Sequence, residues 1–244
     1  MKESPLTHLA IIPDGNRRWA KQHGIGNEKK VYEQGSDTTF EILKAALDAN
    51  VQYVTFWASS YANLLARPKL LVNAIEKIYA KKFQELVTMP LIHEHQVRVE
   101  VCGEWLTILK PQTIAAMKEA MQATAHYTKR QLTVLVGYDG QRERGAAALE
   151  LLKNAAKLTL PDTSNLQAAT DLLRRFAWTG HLPDVDLVVR TGSWEDPHNS
   201  AGFLSLLTSE SQLAFPKVLW PDFTPAMLHD LLADFAHRER RMGR

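Results

Sequence analysis

Asp14-Gly15-Asn16-Arg17-Arg18 puts a carboxylate, a flexible glycine, an amide and two guanidinium groups into five consecutive positions. Backbone N–H groups at a helix start with arginines nearby cradle phosphate, and an adjacent aspartate is a hard ligand that recruits Mg²⁺ to a diphosphate. The alternative makes Asp14 a helix cap and the arginines a solvated first turn. Two cations there oppose the helix dipole and call for a reason. Arg190-Thr191-Gly192, directly after the apolar run Leu187-Val188-Val189, is a second candidate anion clamp, although strands often end in a charge and a glycine turn. Asn63 and Arg67 stand four apart, which puts them on one face if the segment is helical, with Pro68 arguing against that helix. Glu195 and Asp196 add carboxylates for a cation, or simply form a turn at Asp196-Pro197.

The surrounding pattern says what must position these groups. Leu9–Ile12 reads as a buried strand entering the turn Pro13-Asp14-Gly15, and Arg17–Lys21 opens a helix. Helical patterns at 39–49, 69–87, 111–127, 145–158 and 165–176 alternate with strand-like runs at 51–57, 96–101, 131–136 and 185–189. Such alternation predicts an α/β fold, a mostly parallel sheet flanked by helices, in a single domain over 1–244. Ligands of such sheets bind beyond the carboxyl ends of the strands, where the loaded segments fall, Ser59–Asn63 and Tyr138–Arg142 among them. The six tryptophans read as core anchors. His8, His23, His126 and His229 have no partner by spacing and are expected at the surface, and His93-Glu94-His95 is a poor chelate without a third ligand.

Composition excludes several classes. The 244 residues are 45% hydrophobic and 23% charged, which suits a globular core and not a disordered or coiled-coil chain. A net charge of +2 provides no basic field for nucleic acid, so any anion site is local. The single Cys102 forms no internal disulfide and fits a reducing cytoplasm. No signal run or span-length apolar stretch is evident, so the expectation is a cytoplasmic protein with at most a peripheral contact to a membrane face.

The segments His8–Lys21, Asp186–Gly192, and Val218-Leu-Trp-Pro-Asp-Phe223 with Arg238-Glu-Arg-Arg-Met-Gly243 together resemble the cis-prenyltransferase (undecaprenyl diphosphate synthase-like) family. The resemblance implies a six-stranded sheet with a hydrophobic tunnel, a homodimer, and Mg²⁺-dependent condensation of an allylic prenyl diphosphate with isopentenyl diphosphate. Carried over by position, Asp14 would hold Mg²⁺, and Gly15, Asn16, Arg17, Arg18 and Trp19 would form the first diphosphate site. Asn63 and Arg67 match the family's Asn and following Arg, with one extra residue between them here. Arg190 matches an arginine that binds isopentenyl diphosphate. Loss of diphosphate from an allylic carbon concentrates negative charge that cations stabilise, while an apolar tunnel excludes water.

Departures from the family pattern carry their own expectations. Val31-Tyr32 replaces Gly-His, with Lys29 or Lys30 restoring charge, and Gln141 replaces an arginine. Asn199 stands for an Arg and Ala201 for a Ser of the second diphosphate site, and Gln212 for a metal-site Glu. The second site therefore reads as eroded, and loss of an Arg–phosphate pair costs about 2–5 kcal/mol. The leading expectation is a prenyl-diphosphate enzyme performing short-chain synthesis, irregular coupling or single-substrate ionisation. The alternatives are an ordinary chain-elongating synthase, with Arg142 or the C-terminal arginines rebuilding the second site, and a non-catalytic partner subunit.

Overall fold

The computed structural model describes residues 6–26, 28–159, 161–162 and 164–238, with Glu28 and Lys29 described by their backbone alone. In chain order β1 (His8–Ile12) leads into α1 (Asn16–Gln22) and α2 (Glu28–Asp48). Then come β2 (Tyr53–Ser60), α3 (Tyr61–Ala66), α4 (Lys69–Thr88), α5 (Pro90–Glu94) and β3 (Val97–Cys102). After α6 (Trp105–Ile108) and α7 (Pro111–Thr124), β4 (Arg130–Tyr138) and α8 (Gly140–Asn154) follow, then α9 (Leu166–Arg174), β5 (Leu187–Arg190), β6 (Gln212–Ala214) and α10 (Pro225–His237).

Six strands form one sheet in the order β3-β4-β2-β1-β5-β6, and all five pairings are parallel. β1 is central and every residue of it is buried, as a strand covered on both faces requires. Its period-two geometry divides the core. Leu9 and Ile11 join the larger cluster beneath α2, α4 and α7, whereas Ala10 and Ile12 join the smaller one with Trp57, Phe203 and Leu207. The chain leaves β1 for β2 on one side and returns much later to β5 on the other, so the strand order reverses beside β1. That reversal opens a crevice at the carboxyl ends of β1 and β5.

Several expectations are corrected. α2 begins at Glu28, not Thr39, although its first turns carry Gly35-Ser36-Asp37-Thr38, all weak helix formers. Packing decides there: an alanine Cβ at Gly35 would lie 2.6 Å from Asn16 Oδ1 and 3.3 Å from the Trp220 ring. α8 starts at Gly140, five residues early, because the Asp139 carboxylate caps it through the N–H groups of Gln141 and Arg142 (2.8 and 3.2 Å). The three-residue β6 and the helix α10 were not anticipated. His8 is fully buried rather than superficial, hydrogen bonded through Nδ1 to the Pro183 carbonyl (2.9 Å) and through Nε2 to Thr55 Oγ1 (2.8 Å). Burial pushes its imidazole down to about 4.

Candidate functional site

The crevice opens into a cavity of about 830 Å³. Its mouth is polar, formed by Asp14, Asn16, Arg17, Arg18, Asn63 and Arg67, and its interior is apolar. Phe40 and Leu43 of α2, Ile75 and Phe83 of α4, and Phe56 and Val134 of the sheet line that interior. It is the hydrophobic tunnel expected of the fold, running between the sheet and the α2/α4 pair.

β1 delivers Asp14 to the mouth, and the backbone around it is tightly held. The Asp14 carbonyl accepts from Trp220 N (3.1 Å) and Thr191 Oγ1 (2.8 Å), which ties the turn to the segments after β5 and β6. Gly15 turns the chain at φ +109°, where a Cβ would also come within 2.8 Å of the Leu219 side chain. Gly192 is left-handed too (φ +67°), and a Cβ there would lie 2.6 Å from the Arg18 guanidinium.

The charges form one network. Asp14 Oδ2 accepts from Arg190 Nη2 at 3.0 Å, and Oδ1 lies 3.5 Å from Arg18 Nη2, which also donates to the Gly192 carbonyl. Arg190 is 8% exposed, and its Nη1 donates to the His198 carbonyl (2.9 Å) and to Ser200 Oγ. Two buried polar atoms at the mouth lack a partner among the described residues, Arg190 Nε and Asn16 Oδ1. Buried polar groups are normally paired, and orphans concentrate where a ligand completes them. Asn16 is held by donation from Nδ2 to the Pro13 carbonyl (3.1 Å), which leaves the Oδ1 acceptor against Gly35.

α3 carries the opposite wall. The Ser60 hydroxyl caps it by accepting from Asn63 N (3.1 Å), and the helix ends before Pro68, as the proline predicts. Arg67 N closes the last turn on the Asn63 carbonyl (3.2 Å), so both residues face the cavity. The Arg67 guanidinium sits over the Tyr32 ring at 5.4 Å. Tyr32, the departure from the family's histidine, therefore positions a cation at the mouth.

Other candidates are placed elsewhere. Trp19 is not among the lining residues; its Nε1 donates to Asp222 (2.7 Å) and its ring stacks on His23. Asn199 is exposed and its amide donates to the Phe203 carbonyl (3.3 Å), away from the lining. The residue that reaches Arg190 is its neighbour Ser200, which was not among the expected site residues. Gln212 pairs in register with Leu187, three residues before Arg190, so it lies roughly 10 Å down the strand from the mouth. Its Oε1 accepts from Arg238 (3.1 Å). Arg142 is bound to Glu104 and stacked on Tyr61 at 3.8 Å, outside the lining. The side chain of Lys29 and residues 239–244 lie outside the described residues, while Lys30 is exposed and off the lining.

The donor set can be weighed for a divalent cation. Among the described residues, no three His, Cys, Asp or Glu side chains converge to hold a metal ion. One carboxylate, Asp14, and the unpaired Asn16 Oδ1 provide hard oxygens beside two arginines. A sparse set of this kind suits an ion that completes its shell with phosphate oxygens and water.

The family model described as "Putative undecaprenyl diphosphate synthase" matches residues 12–243, and the chain belongs to that family of prenyltransferases. A tritrans,polycis-undecaprenyl-diphosphate synthase (geranylgeranyl-diphosphate specific) of Pyrococcus horikoshii is 34% identical over 243 residues, 97% of this chain and 86% of that protein. A ditrans,polycis-undecaprenyl-diphosphate synthase ((2E,6E)-farnesyl-diphosphate specific) of Pseudomonas aeruginosa is 33% identical over 242 residues, 97% and 90% of the two chains. In fold, the lavandulyl diphosphate synthase of Lavandula x intermedia, solved with dimethylallyl diphosphate, matches with a TM-score of 0.85 over 98% of both chains at 24% identity.

Proposed function

We propose that the chain transfers a prenyl group from an allylic diphosphate bound at Asp14, Arg17 and Arg18, with its apolar tail in the tunnel, and releases a short product. The observation that carries this reading is the Asp14 carboxylate, held between Arg18 and Arg190 at the polar mouth of a cavity whose inner walls are mostly apolar. In the reaction the allylic C–O bond breaks with its electron pair leaving on diphosphate, a C–C bond forms to the acceptor's alkene, and the acceptor loses a proton.

Each residue has a part that its position supports. Arg17 and Arg18 bind the departing diphosphate, Asn16 Oδ1 orients it through a bridging donor, and Asn63 and Arg67 hold its far side. Arg190 and Ser200 bind the second diphosphate, that of isopentenyl diphosphate. The residues fit a divalent cation, Mg²⁺ by the chemistry of the donors, and Asp14 would hold it; bound there, it would neutralise charge on the leaving group. The tunnel walls, Phe40 and Phe83 among them, keep water from the cationic carbon.

Short-chain chemistry is favoured by the cavity's size, which lies within the range of sites for small ligands, and by the position of Asn199 away from the second site. Chain elongation is the second reading. The undecaprenyl synthases at 33–34% identity favour it, as does Ser200, which restores a hydroxyl to Arg190. A homodimer is supported by Leu149 and Leu152, 61% and 68% exposed within one turn on α8.

Incubation with Mg²⁺ and dimethylallyl, geranyl, farnesyl or geranylgeranyl diphosphate, each with and without isopentenyl diphosphate, followed by mass spectrometry, decides among these. One or two added five-carbon units, or products formed without isopentenyl diphosphate, support the short-chain reading. A long polymer establishes elongation, and no product under any condition leaves a non-catalytic subunit.

A further inference from the structure

The turn joining α3 to α4 is built unlike an ordinary solvated loop. Leu65-Ala66-Arg67-Pro68-Lys69-Leu70 exposes Leu65 by 60% and Leu70 by 84%, with two cations between them. Leu70 shows more of its surface than any other large apolar residue described. Nothing in the local fold uses either side chain: Leu64, not Leu65, is the residue of α3 that packs inward, and Leu71 begins the buried stripe of α4.

A third leucine shares this end of the molecule. Leu106, 53% exposed, lies on α6, which follows β3 as α3 follows β2. The strands are parallel with only β4 between them, so both helices start at the same edge of the sheet, about 10 Å apart. Side chains join the two corners. Arg142 pairs with Glu104 just before α6 and stacks on Tyr61 of α3, and Lys110 after α6 donates to Asn73, one turn beyond Leu70 on α4. The exposed charges of this rim, Lys69 and Lys110, are cationic, and its carboxylates are engaged within the fold, Glu104 by Arg142, Glu76 by the Lys110 N–H and Asp139 by the N–H groups of Gln141 and Arg142.

Exposed leucines ringed by cations form a surface that dips into the headgroup layer of an anionic membrane. We infer that the α3–α4 turn, with Leu106 beside it, docks the tunnel mouth on an anionic bilayer surface. The inner side of α3, Ala62, Asn63 and Arg67, lines the cavity while Leu65 faces outward, so docking would place the mouth against the lipid. The surface fits a protein whose substrate and product carry an apolar prenyl tail, and in that respect the inference rests on the proposed function. Charge complementarity selects the bilayer over a second copy of the chain, which would bring Lys69 and Lys110 against their own equivalents. No described helix is long and apolar enough to cross a membrane, so the contact is peripheral.

The test is sedimentation of the purified chain with vesicles of phosphatidylcholine alone or containing phosphatidylglycerol, without metal or substrate, so that its outcome is independent of turnover. The wild-type chain should pellet with the anionic vesicles and not with the neutral ones. The exposed pair Leu65→Ser/Leu70→Ser should weaken that binding by about tenfold or more, and Lys69→Glu several-fold, with unchanged melting temperatures and unchanged turnover of dimethylallyl diphosphate in solution. Absence of vesicle binding by the wild type, equal binding to neutral vesicles, or full binding by the double variant overturns the inference. So does a change of solution mass in the double variant without any vesicle binding, which would make this face a contact between copies. Vesicle binding in a chain that forms no product would sink the proposed function and leave the docking surface standing.

Discussion

Arg190 donates from Nη2 to Asp14 Oδ2 over 3.0 Å although 176 residues separate the two. The contact exists because β5 lies against β1 with Arg190 opposite Ile12, so the last residue of one strand meets the turn that follows the other. One end of the chain holds the carboxylate and the far part holds the cation, and only the parallel pairing makes them one site. Arg190 is buried and Asp14 is 41% exposed, so the carboxylate keeps one side open to the cavity while its conformation is set from behind.

Asp14→Ala should abolish turnover, by at least about a thousandfold, because it removes the hard oxygen donor and leaves Arg190 without its partner in a water-poor site. The change removes the Gly15 N–H acceptor at Oδ1 (2.6 Å), but the Asp14 carbonyl still accepts from Trp220 N and Thr191 Oγ1, so the fold should persist. Single-turnover kinetics together with a thermal melt check both halves; near-normal activity would remove Asp14 from the mechanism.

Gly35→Ala separates helix stability from site geometry. Alanine in a helix interior is favoured by about 1 kcal/mol, yet here its methyl would sit 2.6 Å from Asn16 Oδ1. The expected result is a melting temperature changed little and an activity lowered about tenfold or more, as Asn16 is displaced. A Gly35→Ala enzyme with unaltered kcat and KM would show that Asn16 has no part in turnover.

Ser200→Ala and Asn199→Ala, one residue apart, should behave oppositely. Ser200 accepts a charge-assisted hydrogen bond from buried Arg190, a bond worth about 1.5–3 kcal/mol, so its loss should raise the KM for isopentenyl diphosphate roughly ten- to a hundredfold. Asn199 contacts only a main-chain carbonyl, and its removal should leave KM within about twofold. Steady-state kinetics at fixed allylic substrate measures both.

His8 makes the fold acid-sensitive. Burial lowers its imidazole to about 4 from the ordinary 6.5, so the unfolded chain takes up this proton at a higher pH than the folded one. The stability contributed by the neutral ring is complete above pH 6.5 and is lost as pH falls toward 4, about 3 kcal/mol in all. The melting temperature should drop on the order of 10 °C across that window. A His8→Asn variant, which retains a donor and an acceptor without the titration, should show a flatter profile.

Glu143 braces the turn that carries Ser200. Its buried carboxylate accepts from Thr179 N (2.8 Å), Thr179 Oγ1 (2.7 Å) and the Tyr138 hydroxyl, and the same Tyr138 oxygen accepts from Leu204 N (3.1 Å) on the turn that carries Ser200. Glu143→Leu leaves three buried donors unpaired and should cost several kcal/mol by denaturant titration. Glu143→Gln, which preserves shape and one acceptor oxygen, should cost less than half of that.

Much of this protein was legible along the chain. The alternation of apolar runs with helical periods reports a parallel sheet because a strand buried on both faces must be apolar throughout and its crossover must be amphipathic. The order of acid, glycine, amide and two cations at 14–18 pointed to anion chemistry beside the plainer reading of a capped, solvated first turn, whereas α3 stayed open along the chain, because the spacing of Asn63 and Arg67 fits a helix and Pro68 argues against one. Local chemistry is written in local order, and those elements depend on little else.

The remainder needed contacts between distant segments. The first turns of α2 have poor helix propensity and form because Gly35 lets Asn16 and Trp220 approach closely. β6 is three residues long and exists only as an addition to β5. His8 looked like a surface residue until strand pairing brought Thr55 against its ring. Asn199 and Gln212 were assigned to the site by resemblance, but Asn199 is exposed with its amide on the Phe203 carbonyl, and the register of β6 sets Gln212 opposite Leu187, far down the strand. Residue types and spacing determined which chemistry this chain carries; the pairing of β1 with β5 decided which of those residues meet, because distances across a sheet are set by register and not by separation along the sequence.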